Sequence, residues 1–142
     1  MNLPLYPSKC ILAIDPGSKL SGYVIYCKVT KDILDAGKIK NQELLIAAKF
    51  DTVIIETFDY MVQNAGLEVV DALIWIGRFF QHHKQKSVTL LYGRKAVKDR
   101  FGVKKDTDTV KLLKGKYNQL VKVTKDAWQA LLLIHYHLDH YE

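Results

Sequence analysis

Three acidic residues are the first candidates for chemistry, because each stands at one end of an apolar segment. Asp15 closes the run CILAID, Glu56 follows the run TVII, and Asp126 opens the segment DAWQALLLI. A carboxylate at the tip of a buried strand is held by a rigid element at the edge of a sheet, where α/β proteins place their sites. Taken singly, each acid also has an ordinary explanation, as an Asx-turn, a solvent-facing strand end and a helix cap respectively.

Three carboxylates on separate elements together predict a metal site. Hard cations such as Mg²⁺ take carboxylate oxygens, and two ions about 3.5–4 Å apart can activate a water and stabilise the leaving oxygen of a phosphodiester. We therefore expect Mg²⁺, with two ions per site. Zinc-type spacing is absent from the two histidine pairs, His82-His83 and His135-x-His137, and the two members of each pair would point to different faces of a helix. We therefore expect these histidines at a surface or an interface.

The elements that would position these acids follow from hydrophobic periodicity. The patterns predict strands at 10–15, 21–29, 32–39, 52–58 and 87–92, and helices at 41–50, 66–85, 95–101, 107–117 and 126–141. Short turns join the first three strands, which indicates an antiparallel meander, whereas each of the last two strands follows a helix. The sequence thus predicts a single α/β domain over 1–142, with a mixed five-stranded sheet of three antiparallel and two parallel strands, flanked by helices.

The charge balance favours a polyanionic partner. Lys and Arg number 21 against 15 Asp and Glu, a formal charge of +6, and such an excess suits nucleic acid without proving it. A dense basic stretch lies between the fifth strand and the last helix, and its candidate DNA-binding members are Arg94, Lys95, Lys98, Arg100, Lys104, Lys105 and Lys111.

Cysteine usage and hydropathy bear on the compartment. The two cysteines, Cys10 and Cys27, make no disulfide framework, which favours a reducing environment. No signal peptide and no apolar run long enough to span a membrane is evident in the sequence. We therefore expect a soluble, cytoplasmic protein.

Four segments together resemble RuvC-type Holliday-junction resolvases of the RNase H-like superfamily. ILAIDPGSKLSGYVI resembles their opening strand, with Gly22 as the glycine one strand on, and VIIETF resembles their second acidic strand. RKAVKDRFG resembles their basic segment, and KDAWQALLL resembles their terminal helix. The likeness covers nearly the whole chain in the right order. The chain is short for this family and so resembles a phage-encoded version, which would place the protein in the bacterial cytoplasm, or in the host-cell cytoplasm if a phage encodes it.

This resemblance implies an RNase H-like fold, a homodimer, Mg²⁺ or Mn²⁺ as the metal, and paired nicks across a four-way DNA junction. It places Asp15, Glu56 and Asp126 as metal ligands. The family's fourth ligand falls at Gln129, so this chain departs from the pattern there. Either an amide oxygen replaces the acid, or Asp126 itself stands at the fourth position.

The loop after Glu56 would carry an aromatic side chain that stacks on bases at the junction centre. Phe58 and Tyr60 are the candidates, since unpaired bases stack on aromatic rings; Phe58 is equally compatible with packing beneath the loop. The large apolar residues Trp75, Phe79 and Phe80 of the helix at 66–85 suggest the dimer surface, because one helix face cannot bury them all.

Three other readings compete with a junction resolvase. One is a nuclease of the same fold that acts on RNA, of the pre-rRNA processing type, or that cuts flaps and other branched DNA; the RNA-processing relatives lack a glutamate corresponding to Glu56. Another is an actin-like ATPase or sugar kinase, which needs two such domains and so exceeds 142 residues. The third is a DNA-binding module without catalysis, which three acids in these positions disfavour.

Overall fold

The chain forms five strands and five helices in a computed structural model that describes residues 10–47, 50, 52–57, 66–83, 88–117, 123 and 127–141. The strands are β1 (Cys10–Asp15), β2 (Leu20–Cys27), β3 (Asp32–Lys40), β4 (Thr52–Thr57) and β5 (Val88–Gly93). The helices are α1 (Asn41–Ala47), α2 (Leu67–His83), α3 (Arg94–Phe101), α4 (Asp106–Leu113) and α5 (Trp128–Tyr141). No helix among these residues is long and apolar enough to cross a membrane.

The strands form one sheet in the order β3-β2-β1-β4-β5. β1, β2 and β3 pair antiparallel, while β4 pairs parallel with both β1 and β5. The predicted mixed sheet, with its meander and its two parallel strands, is therefore confirmed. The meander follows from the short turns between its strands, and the parallel pairs from the α1 and α2 crossovers.

Each face of the sheet carries its own apolar core, because alternate residues of a strand point to opposite faces. From β1, Ile11 and Ala13 join the core against α5, whereas Leu12 and Ile14 join the core that includes Trp75, Ile76 and Phe79 of α2. The sheet is thus sandwiched between α5 on one face and α2 on the other, which explains the nearly uninterrupted apolar sequences of β1 and β4.

One helix boundary and the choice of dimer-surface residues need correction. The helix predicted at 107–117 ends at Leu113, because Gly115 adopts a φ of +82° that favours glycine and ends a helix. Among the dimer-surface candidates, Trp75 and Phe79 are buried within the chain's own core, and only Phe80 is substantially exposed. The argument for a dimer from those two residues was therefore wrong.

The histidines also lie elsewhere than expected. His83 and His137 are buried, and both find partners there: His83 Nε2 donates to the carbonyl oxygen of Leu45 at 2.9 Å, and His137 Nδ1 lies 2.8 Å from the Tyr92 hydroxyl. His135 contacts the hydroxyl of Tyr117, and burial lowers the pKa of His135. A surface position is correct for His82 and wrong for His83 and His137.

Candidate active site

Asp15 and Glu56 lie on the same face of the sheet, the face covered by α5. Ala13 and Ile54 point to that face, so the residues two positions further along, Asp15 and Glu56, point there too. The parallel register pairs Ile14 with Ile55, which places the two acids on adjacent strands at the same level. From the sequence alone we expected both acids at strand ends. The parallel pairing of β1 with β4 explains why they also lie side by side.

A row of paired residues extends from these acids in both directions across the sheet. Gly22 of β2 pairs with Asp15 and with Lys38 of β3, while Tyr92 of β5 pairs with Glu56. Gly22 has no side chain, so the sheet beside Asp15 is left open between the acid and Lys38. This opening belongs to a pocket of about 270 Å³ whose lining includes Asp15, Lys38, Arg94, Thr109 and Gln129.

The turn after Asp15 is held by a buried hydrogen-bond network that the sequence analysis missed. Ser21 Oγ donates to Asn41 Oδ1 at 2.6 Å and accepts from the indole N–H of Trp75 at 3.0 Å. Asn41 Nδ2 donates to the carbonyl oxygen of Gly17 at 2.9 Å, and the Gly17 N–H donates to Ser21 Oγ at 3.3 Å. Asn41 is the first residue of α1, so this network ties the start of that helix to the turn after Asp15.

Gly17 is required by this turn for a steric reason. A Cβ atom at position 17 would lie 2.1 Å from the carbonyl oxygen of Leu20, a contact that backbone atoms cannot relieve without moving the turn. The turn therefore approaches β2 more closely than any other residue type would allow, and this approach helps to fix the end of β1 where Asp15 stands.

Glu56 is an unusual carboxylate because it is almost completely buried, with 2% of its side chain exposed. Its Oε2 accepts a hydrogen bond of 2.7 Å from the amide nitrogen of Gln129 on α5, whereas Oε1 has no hydrogen-bond partner among the described residues. Burial, with the charge of Asp15 beside it, raises the pKa of Glu56 to about 7; Gln129, Arg94 and Lys98 oppose the rise. The possibility that Glu56 faces water at a strand end is excluded.

Arg94, the first residue of α3, lies against both acids. Its Nη1 is 3.5 Å from Glu56 Oε1 and 3.9 Å from Asp15 Oδ1. Because β5 ends at Gly93, directly beside the end of β4, the next residue is brought to the same edge of the sheet. One guanidinium nitrogen therefore spans the two carboxylates, while 38% of the Arg94 side chain remains exposed.

The donors of this site fit a hard divalent cation. Glu56 Oε1 and Gln129 Oε1 are buried oxygens without a hydrogen-bond partner in the described part of the chain, and an unsatisfied buried acceptor is costly unless a cation or a water meets it. Carboxylate and amide oxygens are ligands that Mg²⁺ accepts. Across the described residues, no cluster of three or more His, Cys, Asp or Glu capable of holding a metal occurs.

Several candidate residues lie outside the described part of the chain. Asp126, the third candidate ligand, stands two positions before α5, and the aromatic candidates Phe58 and Tyr60 follow β4 directly. Their roles therefore remain the expectations stated from the sequence. The fourth-ligand position, Gln129, is described and is occupied by an amide that binds Glu56.

The basic stretch divides into a part near the acids and a part in solvent. Arg94 touches the acids, and Lys98 is close enough to influence the pKa of Glu56. The others lie at the surface of α3, α4 and their connection: Lys95 (paired with Asp99 at 2.7 Å), Arg100 (paired with Asp139 at 3.5 Å), Lys104, Lys105 and Lys111. The basic stretch therefore contains two groups of residues, one beside the acids and one exposed to solvent.

Comparisons with known proteins agree with this architecture. No protein-family model and no curated protein sequence matches the chain. Among solved structures, it is similar to Thermus thermophilus RuvC in complex with Holliday junction substrate, at 14% identity and a TM-score of 0.61, covering 93% of this chain and 96% of that chain. A second structure of Thermus thermophilus RuvC gives 14% identity and a TM-score of 0.63, with 92% and 96% covered. The expected RuvC-like, RNase H-like fold is therefore confirmed over nearly the whole chain.

Proposed function

We propose that this chain is a metal-dependent endonuclease of a single domain that resolves four-way DNA junctions by paired nicks. One observation carries the proposal: at the same edge of a RuvC-like sheet, Asp15 and the buried Glu56 lie side by side, and one Glu56 oxygen has no hydrogen-bond partner among the described residues. A structural glutamate on an apolar strand would be expected to satisfy both oxygens. An acid kept buried and under-satisfied is typical of a functional site.

Asp15, Glu56 and Asp126 are the proposed metal ligands. A bound Mg²⁺ or Mn²⁺ would supply Lewis acidity towards a phosphate oxygen and would favour deprotonation of a water. The side chain of Gln129 orients Glu56 through its 2.7 Å hydrogen bond, and its own Oε1 faces no other described partner. The network around Ser21 and Asn41 holds the turn next to Asp15, so the two acids are set in place before substrate arrives.

The pocket beside Asp15 suits a phosphodiester group. Lys38 on one side and Arg94 on the other line it, and positive charge around a small cavity attracts a phosphate. The acids alone would repel the DNA backbone, so these basic side chains offset that repulsion. We expect Lys95, Lys98, Arg100, Lys104, Lys105 and Lys111 to extend the phosphate contacts along α3 and α4, and Phe58 or Tyr60 to stack on bases of the junction.

A homodimer would present two such sites to the two opposed strands of a symmetric junction. The α2 helix exposes Leu67, Val70 and Ile74 at a spacing that forms one stripe, and α1 exposes Ile46. Exposed apolar side chains in a continuous stripe favour an interface. We therefore propose that a second copy of the chain covers this stripe.

A cleavage assay on a set of labelled nucleic acids tests the proposed function. The full chain is incubated with a four-way junction, a flap, linear duplex, single strand and an RNA–DNA hybrid, each with Mg²⁺, Mn²⁺ or EDTA. We expect symmetric nicks in the junction with either metal and none with EDTA. Preferential cutting of the flap or of the hybrid would instead support the broader branched-DNA or the RNA-directed alternative, and no cutting of any substrate would contradict the proposal.

A further inference from the structure

Arg94 lies within ion-pair distance of both carboxylates. Its Nη1 is within 3.9 Å of Asp15 Oδ1 and 3.5 Å of Glu56 Oε1. Its charge, fixed at any ordinary pH, is therefore shared between two acids rather than paired with one. A surface arginine that serves only to bind a DNA backbone has no need to contact a buried carboxylate such as Glu56.

Gln129 occupies, through a hydrogen bond, one carboxylate oxygen of Glu56 that could otherwise bind a cation. Glu56 Oε2 already accepts the amide N–H of Gln129 at 2.7 Å, so Oε1, which lies 3.5 Å from Arg94 Nη1, is the carboxylate oxygen that has no hydrogen bond among the described residues. An acid at position 129 would offer two further anionic oxygens to the site, whereas the amide offers only a neutral Oε1. Mg²⁺ is commonly held by one or two carboxylates together with substrate phosphate and water, and this donor set fits one such ion.

The charge balance points the same way. Among the described residues, Arg94 and Lys98 act on Glu56 electrostatically against one neighbouring acid, Asp15. Each further positive charge within a few ångströms is repelled by those already there, and the repulsion is stronger for a divalent ion than for a monovalent one. With Asp126 as the third proposed ligand, the acids would supply three negative charges, of which the guanidinium of Arg94 offsets one, whereas a pair of divalent ions brings four positive charges.

We propose that Arg94 takes the place of a second metal ion, so that each site binds one divalent cation. This inference rests on the proposed function only in assigning the occupant of the pocket as a phosphate. The guanidinium has a planar fork of donors, and Nη1 faces the acids while more than a third of the side chain is exposed. Arg94 can thus hold a phosphate oxygen beside the ion. The two-ion expectation from the sequence is replaced by one ion and one arginine.

Counting bound Mn²⁺ on the full chain tests this without any cleavage. Titration calorimetry and the electron paramagnetic resonance signal of free Mn²⁺ each give the number of ions per chain and the Kd. For the wild type we expect one ion, lost in Glu56→Gln. For Arg94→Ala we expect either a second ion or a Kd lowered by at least about fivefold, because a neighbouring positive charge has been removed.

Two variants keep the test decisive. Arg78→Ala removes the same charge from an exposed position of α2, which packs on the other face of the sheet, and should leave the number of ions and the Kd unchanged. Arg94→Lys retains the positive charge, and should bind one ion as the wild type does, even if Arg94→Ala proves to fold poorly.

The outcomes separate this inference from the proposed function. Two ions on the wild type, no ion at all, or an Arg94→Ala variant with one ion and less than a fivefold change in Kd would each overturn the role of Arg94. None of these measurements of ion number and Kd depends on cleavage. A chain that binds one ion, responds to Arg94→Ala as expected, and yet cuts no nucleic acid would keep the inference and contradict the nuclease.

Discussion

At the scale of single residues, Glu56 and Asp15 differ sharply although they stand side by side. Glu56 has 2% of its side chain exposed and Asp15 has 22%. Burial destabilises a carboxylate, and a neighbouring negative charge adds to the effect. The pKa of Glu56 therefore rises to about 7. Ionising Glu56 near neutral pH consequently lowers the free energy of unfolding of the metal-free protein.

The first prediction follows from the sign of this shift. Because the pKa of Glu56 is higher in the folded than in the unfolded chain, its stabilising contribution is complete below pH about 4.5 and disappears as pH rises through about 7. Each pKa unit corresponds to 1.36 kcal/mol, so about 3 kcal/mol of the free energy of unfolding is expected to vanish over this range. Urea unfolding in EDTA at a series of pH values measures it.

Glu56→Gln should flatten that pH dependence, since a neutral amide retains the volume and can still contact Gln129. Glu68→Gln, a change at an exposed position of α2, is the control and should leave the wild-type slope unchanged. A slope that persists in Glu56→Gln would show that other groups produce it. Added Mg²⁺ should stabilise the wild type most at high pH, where Glu56 is ionised.

At the scale of elements, the apolar runs of β1 and β4 were enough to predict that Asp15 and Glu56 stand at strand ends, and the parallel register of the two strands puts both acids on one face. The location of Arg94 was not predictable in this way. The sequence presents it as one member of a basic run, and the predicted helix begins one residue later than α3 does. Only the pairing of β5 with β4, a contact between distant parts of the chain, brings Arg94 to the acids.

The Gln129 contact shows the same limit. The sequence reveals that an amide replaces an acid, but whether that amide coordinates a cation or binds Glu56 depends on how α5 packs over the sheet. Likewise, Ser21 and Asn41 look like ordinary strand and helix residues in the sequence, and only the packing of β2 against α1 joins them to the turn after Asp15. The local sequence pattern predicts secondary-structure elements and their buried faces. Hydrogen-bond partners on different elements depend on how those elements pack in the fold.

The second prediction concerns that turn. Gly17→Ala should displace it, because the new Cβ would lie 2.1 Å from the Leu20 carbonyl oxygen. We expect a loss of about 1–3 kcal/mol in the free energy of unfolding, as for other overpacked positions, together with at least tenfold weaker binding of Mn²⁺ as Asp15 moves, equivalent to about 1.4 kcal/mol. Gly66→Ala, which meets no atom within 4 Å, is the matched control for both measurements. Unchanged metal binding in Gly17→Ala would mean that the turn does not position Asp15.

At the scale of the whole molecule, the two faces of the sheet carry different kinds of residues. The α5 face holds the acids and the basic helices α3 and α4, and the α2 face carries exposed apolar residues over a separate core. An arrangement of this kind allows the chain to pair through one face while DNA meets the edge that bears the acids.

The third prediction tests the pairing. Ile74 is 56% exposed in the middle of the α2 stripe, so Ile74→Glu would place a charge in the proposed interface, where burial is costly. We expect the wild type to sediment as a dimer and Ile74→Glu as a monomer. Val29→Glu, at a turn position that is 61% exposed, should remain dimeric. A wild type that is monomeric at concentrations where junctions are cut would contradict the dimer.

The fourth prediction separates affinity from junction preference. Phosphate contacts ignore DNA structure and weaken with salt, by a log–log slope of about −0.9 per neutralised phosphate, whereas base stacking contributes about 1–3 kcal/mol per base and needs unpaired bases. Lys98→Ala and Lys105→Ala should therefore weaken binding to junction and duplex equally and reduce the salt slope. Tyr60→Ala should spare duplex binding and slow junction cleavage. If Tyr60→Ala cuts junctions at the wild-type rate, the stacking residue is another one, and Phe58 is the next to test.

The most direct measurement of the central claim compares junction cleavage and junction binding in Asp15→Asn, Glu56→Gln and Asp126→Asn. Each variant removes one negative charge without a large change in volume. If these acids hold the metal, each variant loses cleavage in Mg²⁺ by at least a hundredfold, about 2.7 kcal/mol of transition-state stabilisation, yet binds the junction as tightly as the wild type or more tightly, because repulsion of the phosphates falls. Cleavage at the wild-type rate by Glu56→Gln, in a protein that is correctly folded, would contradict the account.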